Sequence, residues 1–243
     1  MIQGVVDMRE AYRDEQVAAN YVDERFREPL GALLHHRQSA AMRRVVLGHR
    51  PEHVLELAPG PARLTVEVAP LLTRAPVILD ASPQMLAQAR ARLTAIREEA
   101  IVVNGDAFDL PFDAQFDLVY TFRLIRHFEQ AERMSLYRQI RKVLKPDGLL
   151  VFDAVNAVVS AGLQKDGDRH FDALLEQEEL MRELRDAGFD RISLEGVQHR
   201  YRLLSAVQTL VAPRSRTLAR AAMEVIDRLG GEPLEWIVTC RRA

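Results

Sequence analysis

Short apolar runs alternate with helix-forming stretches through the middle of the sequence, and the first three runs carry an acid at or near their ends. These three runs are VLEL at 54–57, PVILD ending at Asp80, and AIVVNGD ending at Asp106. FDLVYTF and LLVFDAV continue the series. Strands that alternate with helices favour a parallel sheet joined by right-handed crossovers. The sequence therefore predicts an α/β, doubly wound fold.

The regions on either side of this series extend the prediction to the whole chain. Ser82 and Pro83 suit the N-cap and first position of a helix that runs to Arg97. A helix from Gln130 to Leu144 is predicted to stop at a turn formed by PDG at 146–148. One domain is predicted over 1–243, with a helical segment at 1–47, a core at 48–156, a helix at about 170–187, a strand in RISLEGVQHRY, a helical insert at 203–229 and a last strand in LEWIVTCRR.

Composition and charge exclude several classes of protein. Hydrophobic residues make up 48% and charged residues 28%, the balance of a globular chain, and the formal charge of -2 gives no field that attracts nucleic acid or an anionic membrane. The single cysteine, Cys240, cannot form an internal disulfide or a thiolate metal cage. The first residues show no secretory signal. We therefore expect a cytoplasmic protein with no metal, no nucleic-acid partner and no membrane span.

The ends of the predicted strands carry the candidate ligand contacts. Ligands of open α/β sheets bind outside the carboxyl ends of the strands. Asp80, expected at a solvent-facing end of the second strand, has the position from which an acid accepts the hydroxyls of a ribose. Gly60 allows the backbone a close approach to a ligand, and the helix that follows presents N–H groups. Each acid taken alone is equally compatible with a solvated turn, so the ordered set carries the prediction.

The motifs between residues 54 and 155 resemble those of class I S-adenosylmethionine-dependent methyltransferases. VLELAPGPAR resembles the glycine-rich first motif, ILDASPQMLAQAR the second-strand motif, and NGDAFDLPF the motif whose acid meets the adenine. FDLVYTFRLIRHF and VLKPDGLLVF resemble the fourth strand, the next helix and the fifth strand. The resemblance implies a mostly parallel, seven-stranded Rossmann-like sheet with an N-terminal helical segment and a late helical insert.

The resemblance also implies S-adenosylmethionine as cofactor and a role for each matching residue. Glu56 is expected near the methionine amino group, with Asp80 on the ribose and Asp106 on the adenine amino group. Backbone, packing and lid contacts with the cofactor are expected from Ala58, Gly60, Ala81, Met85, Ala107, Thr121, Phe122, Tyr12 and Tyr21.

One feature of the first motif departs from the family pattern. The family usually has three glycines in this turn, and here Ala58 and Ala62 occupy the outer two positions around Gly60. Alanine adopts left-handed backbone conformations only at a cost. We expect a stiffer turn with a slightly altered backbone around the cofactor.

The residues that act on the acceptor are harder to identify from sequence. Methyl transfer from a sulfonium can proceed by proximity and orientation alone, without a metal. His127 is the best-placed general base, although a histidine that packs or caps a helix would stand there equally well. Arg123 and Arg126 are candidates to hold an acidic group of the substrate. The insert at 203–229 fits either a substrate cap or the surface of a homodimer.

We expect the first of three functions, and the other two remain as alternatives. The first is methyl transfer to an oxygen, nitrogen or carbon atom of a small molecule. The second is a methyltransferase-like binding protein without catalysis, which the two alanines of the turn keep open. The third is a nicotinamide-dependent oxidoreductase, against which the missing glycine spacing and the Asp106 motif both argue.

Overall fold

One mostly parallel sheet organises the computed structural model, which describes residues 26–161 and 173–243. Within these residues the sheet has eight strands in the order β3-β2-β1-β4-β5-β8-β7, with a short β6 beside β5. All neighbouring pairs are parallel except those that involve β8, which runs antiparallel to β5 and β7. The strands are β1 (Val54–Leu57), β2 (Val77–Asp80), β3 (Ile101–Asn104), β4 (Phe116–Thr121), β5 (Leu144–Asn156), β6 (Leu174–Leu175), β7 (Phe189–His199) and β8 (Pro233–Arg242).

Helices lie before, between and after these strands. The described residues form α1 (Pro29–His49), α2 (Thr65–Val68), α3 (Pro83–Ala95), α4 (Gln130–Val143), α5 (Ala157–Ser160), α6 (Gln177–Asp186), α7 (Tyr201–Leu210) and α8 (Arg216–Arg228), with 3-10 turns at Ala69–Leu71 and Ile125–His127. Ser82 caps α3 by accepting a hydrogen bond from the Met85 N–H, as predicted. The predicted α/β sheet is confirmed, the described part of the predicted N-terminal helical segment forms α1, and the late insert is the helix pair α7 and α8.

Two sequence-based boundaries are wrong. Strand β5 begins at Leu144, so the predicted PDG turn lies inside it as an irregularity between the pairs Phe116–Leu144 and Leu118–Leu149. Gly148 is needed there, because a Cβ atom would lie 2.8 Å from the Lys145 carbonyl oxygen. In the second case, the predicted helix at 170–187 begins at Gln177, since Leu174–Leu175 instead pair with the end of β5. This pairing depends on β5, which is distant in sequence, so the residues around Leu174 could not predict it.

The core has one apolar layer on each face of the sheet. On one face, α1 packs through Leu34, Met42 and Val46 against Leu118 and other strand residues. The opposite face is covered by α4 and α6, with Tyr137 and Phe189 in edge contact there. Arg63, which follows the turn after β1, donates to Gln38 of α1 at 2.6 Å, so the middle of α1 lies beside that turn.

The insert is attached both to α1 and to the end of β7, where the His199 N–H donates to Asp227 of α8 at 2.8 Å. Leu33, Leu204 and Met223 form a small separate core between α1, α7 and α8. Arg37 on α1 donates to the buried Asp227 carboxylate of α8 at 2.7 Å. The N-terminal helix and the insert therefore form one layer on the α1 face of the sheet.

Candidate functional site

The turn after β1 has the backbone shape that glycine normally supplies. The φ angles of Ala58, Gly60 and Ala62 are 48°, 55° and 56°, all in the left-handed region. An L-residue in this conformation costs roughly 1–2 kcal/mol. The two alanines therefore occupy the left-handed conformation despite their Cβ atoms, and the turn holds this strain. A Cβ at Gly60 would meet only the Met85 Sδ at 3.9 Å, so the requirement for glycine there is conformational.

The same turn offers a ligand carbonyl oxygens but no backbone N–H. The Ala58 N–H donates to the Leu79 carbonyl, the Ala62 N–H to the Pro59 carbonyl, and the Gly60 N–H to the Asp80 carboxylate at 3.1 Å. The intervening residues are prolines, which have no N–H. The turn from Ala58 to Ala62 therefore has no free N–H with which to bind an anion.

Asp80 ends β2 directly opposite this turn. Its carboxylate accepts from the Ser82 N–H at 2.8 Å as well as from Gly60, and burial raises its pKa. The side chain is 9% exposed, so the expectation of a solvent-facing strand end is wrong. Because the carboxylate fixes the position of the turn, it has a structural role beside any contact with a ligand. The remaining lone pairs of the carboxylate can accept hydrogen bonds from hydroxyl groups.

Glu56 is buried beneath the turn, on the α1 face of the sheet. One carboxylate oxygen accepts hydrogen bonds from the Thr65 hydroxyl and, at 2.7 Å, from the Tyr120 hydroxyl. Burial raises the pKa of Glu56 to about 7, although both hydroxyl groups favour its ionised form. The carboxylate therefore joins β1 to α2 and β4, and a cation placed beside it would favour ionisation.

The third strand brings a second group of predicted residues to the same edge. The Asn104 side chain and the Gly105 N–H both donate to the Asp80 carbonyl, at 3.0 and 3.1 Å. Asp106 follows and accepts from the Phe108 N–H at 3.0 Å. Met85, on the first turn of α3, is buried near Gly60. The structure thus brings the ends of β1, β2 and β3 together, with Asp80 between the other two.

The end of β4 provides the neighbouring part of the edge. Thr121 is fully buried, and its hydroxyl has no hydrogen-bond partner among the described residues. Phe122 follows it and packs into the α1-side core. His127 ends the 3-10 turn that follows β4 and is half-buried.

Arg126 is held by two carboxylates that sequence reasoning missed. Its Nη1 donates to Glu235 at 2.9 Å and lies 3.5 Å from Asp153. The prediction that it holds an acidic substrate group needs revision, because the protein itself supplies both carboxylates. Arg123 contacts Asp153 through its N–H at 2.5 Å, while its Nε is buried with no hydrogen-bond partner in the described structure. The available signal was an acid inside each apolar strand, LLVFDAV and LEWIVTC.

Two of the predicted cofactor contacts lie outside the residues that the structure describes. Tyr12 and Tyr21 fall in the undescribed N-terminal residues. In the described part of the chain, no cluster of His, Cys, Asp or Glu has the arrangement of a metal site. No helix there is long and apolar enough to cross a membrane.

Comparison with known proteins identifies the central segment. Residues 54–148 match the family model described as a methyltransferase domain. An uncharacterized methyltransferase of Synechocystis sp. is 36% identical over 100 residues, which are 40% of this chain and 44% of that protein. The match thus covers less than half of the relative's length.

Solved structures extend the similarity to the whole fold. The DhpI–SAM–HEP complex superposes with a TM-score of 0.66 at 19% identity, covering 99% of each chain. The [4+2]-cyclase SpnF superposes with a TM-score of 0.55 at 22% identity, covering 79% of this chain and 74% of its own. At these identities the similarity shows a shared fold, the Rossmann-like fold that solved methyltransferases have.

Proposed function

Residues 54–148 belong to the methyltransferase domain family, and from this premise we propose that the protein is an S-adenosylmethionine-dependent methyltransferase. The observation that carries the proposal is the set of acceptor groups at the carboxyl edge. The N–H groups of the turn from Ala58 to Ala62 are all used within the protein, so a ligand can contact its backbone only at carbonyl oxygens, and the Asp80 carboxylate lies against the turn. The cofactor's ammonium and ribose hydroxyls are donors, so their hydrogen-bonding character matches these acceptors.

The residues proposed for the cofactor divide along the edge of the sheet. Asp80 accepts from the ribose hydroxyls, Asp106 accepts from the adenine amino group, and Glu56 provides negative charge beneath the methionine ammonium. The remaining contacts are assigned to Ala58, Gly60, Ala81, Met85, Ala107, Thr121 and Phe122. When bound, the cofactor supplies an electrophilic methyl group on a sulfonium. The chain holds it in place and excludes water, which is the contribution that such a displacement needs.

The same observation argues against a dinucleotide cofactor. In nicotinamide-dependent enzymes the pyrophosphate binds at backbone N–H groups of the first turn and helix N-terminus. Here the three N–H groups of the turn are used within the protein, and its prolines have none. A pyrophosphate would therefore meet carbonyl oxygens in this turn.

We propose that the methyl acceptor is a small molecule, whose oxygen, nitrogen or carbon atom attacks the methyl group without the help of a metal. This assignment rests on the formal charge of -2, which does not favour nucleic acid. His127 is proposed to remove a proton from the acceptor through a ring nitrogen. For a general base, His127→Ala lowers turnover by about 10²-fold or more, whereas turnover within about threefold makes the histidine structural.

Calorimetric titration tests the proposal against its two alternatives. S-adenosylhomocysteine is expected to bind and NAD is not, and the bound ligand stabilises the folded protein by about 2.7 kcal/mol at roughly a hundredfold excess over Kd. Binding of NAD instead would identify an oxidoreductase. Binding of S-adenosylmethionine without release of S-adenosylhomocysteine across a library of small-molecule acceptors would favour a non-catalytic binding protein.

A further inference from the structure

Two buried carboxylates lie at the carboxyl edge of β5, beside the proposed methyl-donor end. Asp153 on β5 is 1% exposed, and Glu235 near the start of β8 is 4% exposed. The register pairs Asp153 with Ile237 and Val155 with Glu235, so both carboxylates project from the same face of the sheet. Both also approach the same guanidinium nitrogen, Nη1 of Arg126.

Each carboxylate has one oxygen that the described structure leaves without a hydrogen bond. Asp153 Oδ1 accepts from the Arg123 N–H, and Glu235 Oε1 accepts from Arg126. Asp153 Oδ2 and Glu235 Oε2 are buried and have no hydrogen-bond partner among the described residues. Asp153 Oδ2 faces Arg126 Nη1 at 3.5 Å, beyond hydrogen-bond distance, and a buried acceptor without a donor is unfavourable, so each carboxylate can still accept a hydrogen bond from a ligand.

The electrostatics of the pair agree with this geometry. Burial raises the pKa of Asp153, and the Glu235 charge adds to the effect, while Arg126 opposes it. The Arg123 guanidinium also opposes it, but it forms no ion pair with either carboxylate in the described part of the chain. A further cation between Asp153 and Glu235 would therefore relieve their mutual repulsion.

The pair lies where an acceptor molecule would have to bind. Asp153 is tied to Arg123, which follows Thr121 and Phe122 at the end of β4. From the insert, Tyr201 at the start of α7 is half-buried, and its pKa is raised by burial and by the Glu235 charge. The insert thus places an aromatic ring near the carboxylates, and aromatic rings attract cations.

We propose that the methyl acceptor is an amine that binds as its ammonium form between Asp153 and Glu235, and whose nitrogen becomes a nucleophile when one N–H proton passes to either carboxylate. The inference rests on the proposed methyltransferase function and specifies its substrate class. An ammonium has three N–H donors and no acceptor, so it satisfies both unpartnered oxygens at once. An alcohol has only one O–H donor, so it satisfies only one of the two oxygens. An acidic substrate would bring a third carboxylate next to Asp153 and Glu235, which would repel it.

Binding of matched small molecules to protein saturated with S-adenosylhomocysteine tests the inference. The probes are methylamine, cyclohexylamine and 2-phenylethylamine, each compared by calorimetry with the alcohol and the carboxylic acid of the same skeleton. At least one amine is expected to bind about tenfold or more tightly than its alcohol, since hydrogen bonds to charged groups are the stronger ones. If no amine outcompetes its alcohol, the inference is overturned.

Two variants with neutral side chains test whether the preference for amines over alcohols depends on Asp153 and Glu235. Asp153→Asn and Glu235→Gln each reduce the amine preference to about threefold or less, while Glu99→Gln, an exposed control before β3, leaves it intact. Should Asp153→Asn fail to fold, Glu235→Gln alone decides. A preference that survives in Glu235→Gln overturns the site.

Prior titration with S-adenosylhomocysteine separates the two levels of failure. Protein that does not bind this compound contradicts the proposed function itself. Protein that binds it normally but shows no preference for amines contradicts only the assignment of Asp153 and Glu235.

Discussion

At the scale of single residues, the site is built from acids that the fold holds in unfavourable surroundings. Glu56, Asp80 and Asp153 are all buried, and burial raises the pKa of each carboxyl group. Such groups favour cationic or hydrogen-bond-donating partners, because those partners stabilise the ionised form. The proposed cofactor and the proposed amine both provide such partners, so one electrostatic principle accounts for both ends of the site.

Glu56 gives this view a measurable pH dependence. Its pKa is near 4.5 when unfolded and about 7 when folded, so the folded protein holds the proton more tightly. The contribution of Glu56 to stability is therefore greatest below about pH 4.5 and falls as the pH rises to about 7, by about 1.4 kcal/mol per pH unit and about 3 kcal/mol in all. Glu56→Gln keeps an oxygen for the Thr65 and Tyr120 hydroxyls and does not ionise.

The difference between the two proteins isolates Glu56 from the other raised carboxyl groups. Urea unfolding from about pH 5 to about pH 8 is expected to show the variant gaining about 2–3 kcal/mol relative to the wild type. A difference that stays constant over this range would show that Glu56 has the same pKa in the folded and unfolded chains.

The alanines of the first turn allow a second prediction at this scale. Ala58→Gly relieves the left-handed strain of about 1–2 kcal/mol but adds roughly 0.5–1 kcal/mol of unfolded-state entropy. The free energy of unfolding is therefore expected to stay unchanged or to rise by up to about 1.5 kcal/mol. Ala91→Gly, at an exposed position of α3, serves as control and is expected to lose about 1 kcal/mol. Equal losses in both variants would show that Ala58 is not strained.

At the scale of elements, the strand ends could be predicted from sequence, but the partners across the sheet could not. Short apolar runs and turn residues are local signals, so β1, β2, the turn at Gly60 and the cap at Ser82 were all predictable. Leu174–Leu175 forms a strand only because β5 is beside it. Likewise, Arg126 meets Asp153 and Glu235 only after three separate segments come together, which no local pattern encodes.

The attachment of the insert to α1 is a property of these elements that can be tested. Asp227 is 3% exposed at its side chain and accepts from Arg37 and from the His199 N–H at 2.8 Å. Asp227→Ala leaves the His199 N–H unpaired and leaves Arg37 with only its bond to Glu224, so it is expected to lower the free energy of unfolding by roughly 2–3 kcal/mol. Glu224→Ala removes the more exposed second partner of Arg37 and is expected to cost less than about 1 kcal/mol. Similar losses for both would show that Asp227 does not anchor the insert.

At the scale of the whole molecule, the sheet brings the ends of β1 to β5 and the start of β8 to one edge, where the proposed cofactor and acceptor regions adjoin. The β1 turn, Asp80 and Asp106 form one part, and Thr121, Asp153 and Glu235 form the other. The layer of α1 and the insert lies on the same face as Glu56, Asp153 and Glu235. The division of the chain into lid, core and completing segment, the cytoplasmic location and the homodimer stay predictions.

The most direct test of this account is the affinity of S-adenosylhomocysteine for three proteins: the wild type, Asp80→Ala and Asp80→Asn. Hydrogen bonds to a charged group contribute about 1.5–3 kcal/mol each, and water solvates the freed ribose hydroxyls, so Asp80→Ala is expected to lose roughly 10- to 150-fold in affinity. Asp80→Asn should lose less, because its amide oxygen still accepts one bond. Thermal melting without ligand reports the separate loss of the Gly60 contact. Equal affinities in all three folded proteins would contradict the placement of the cofactor at Asp80.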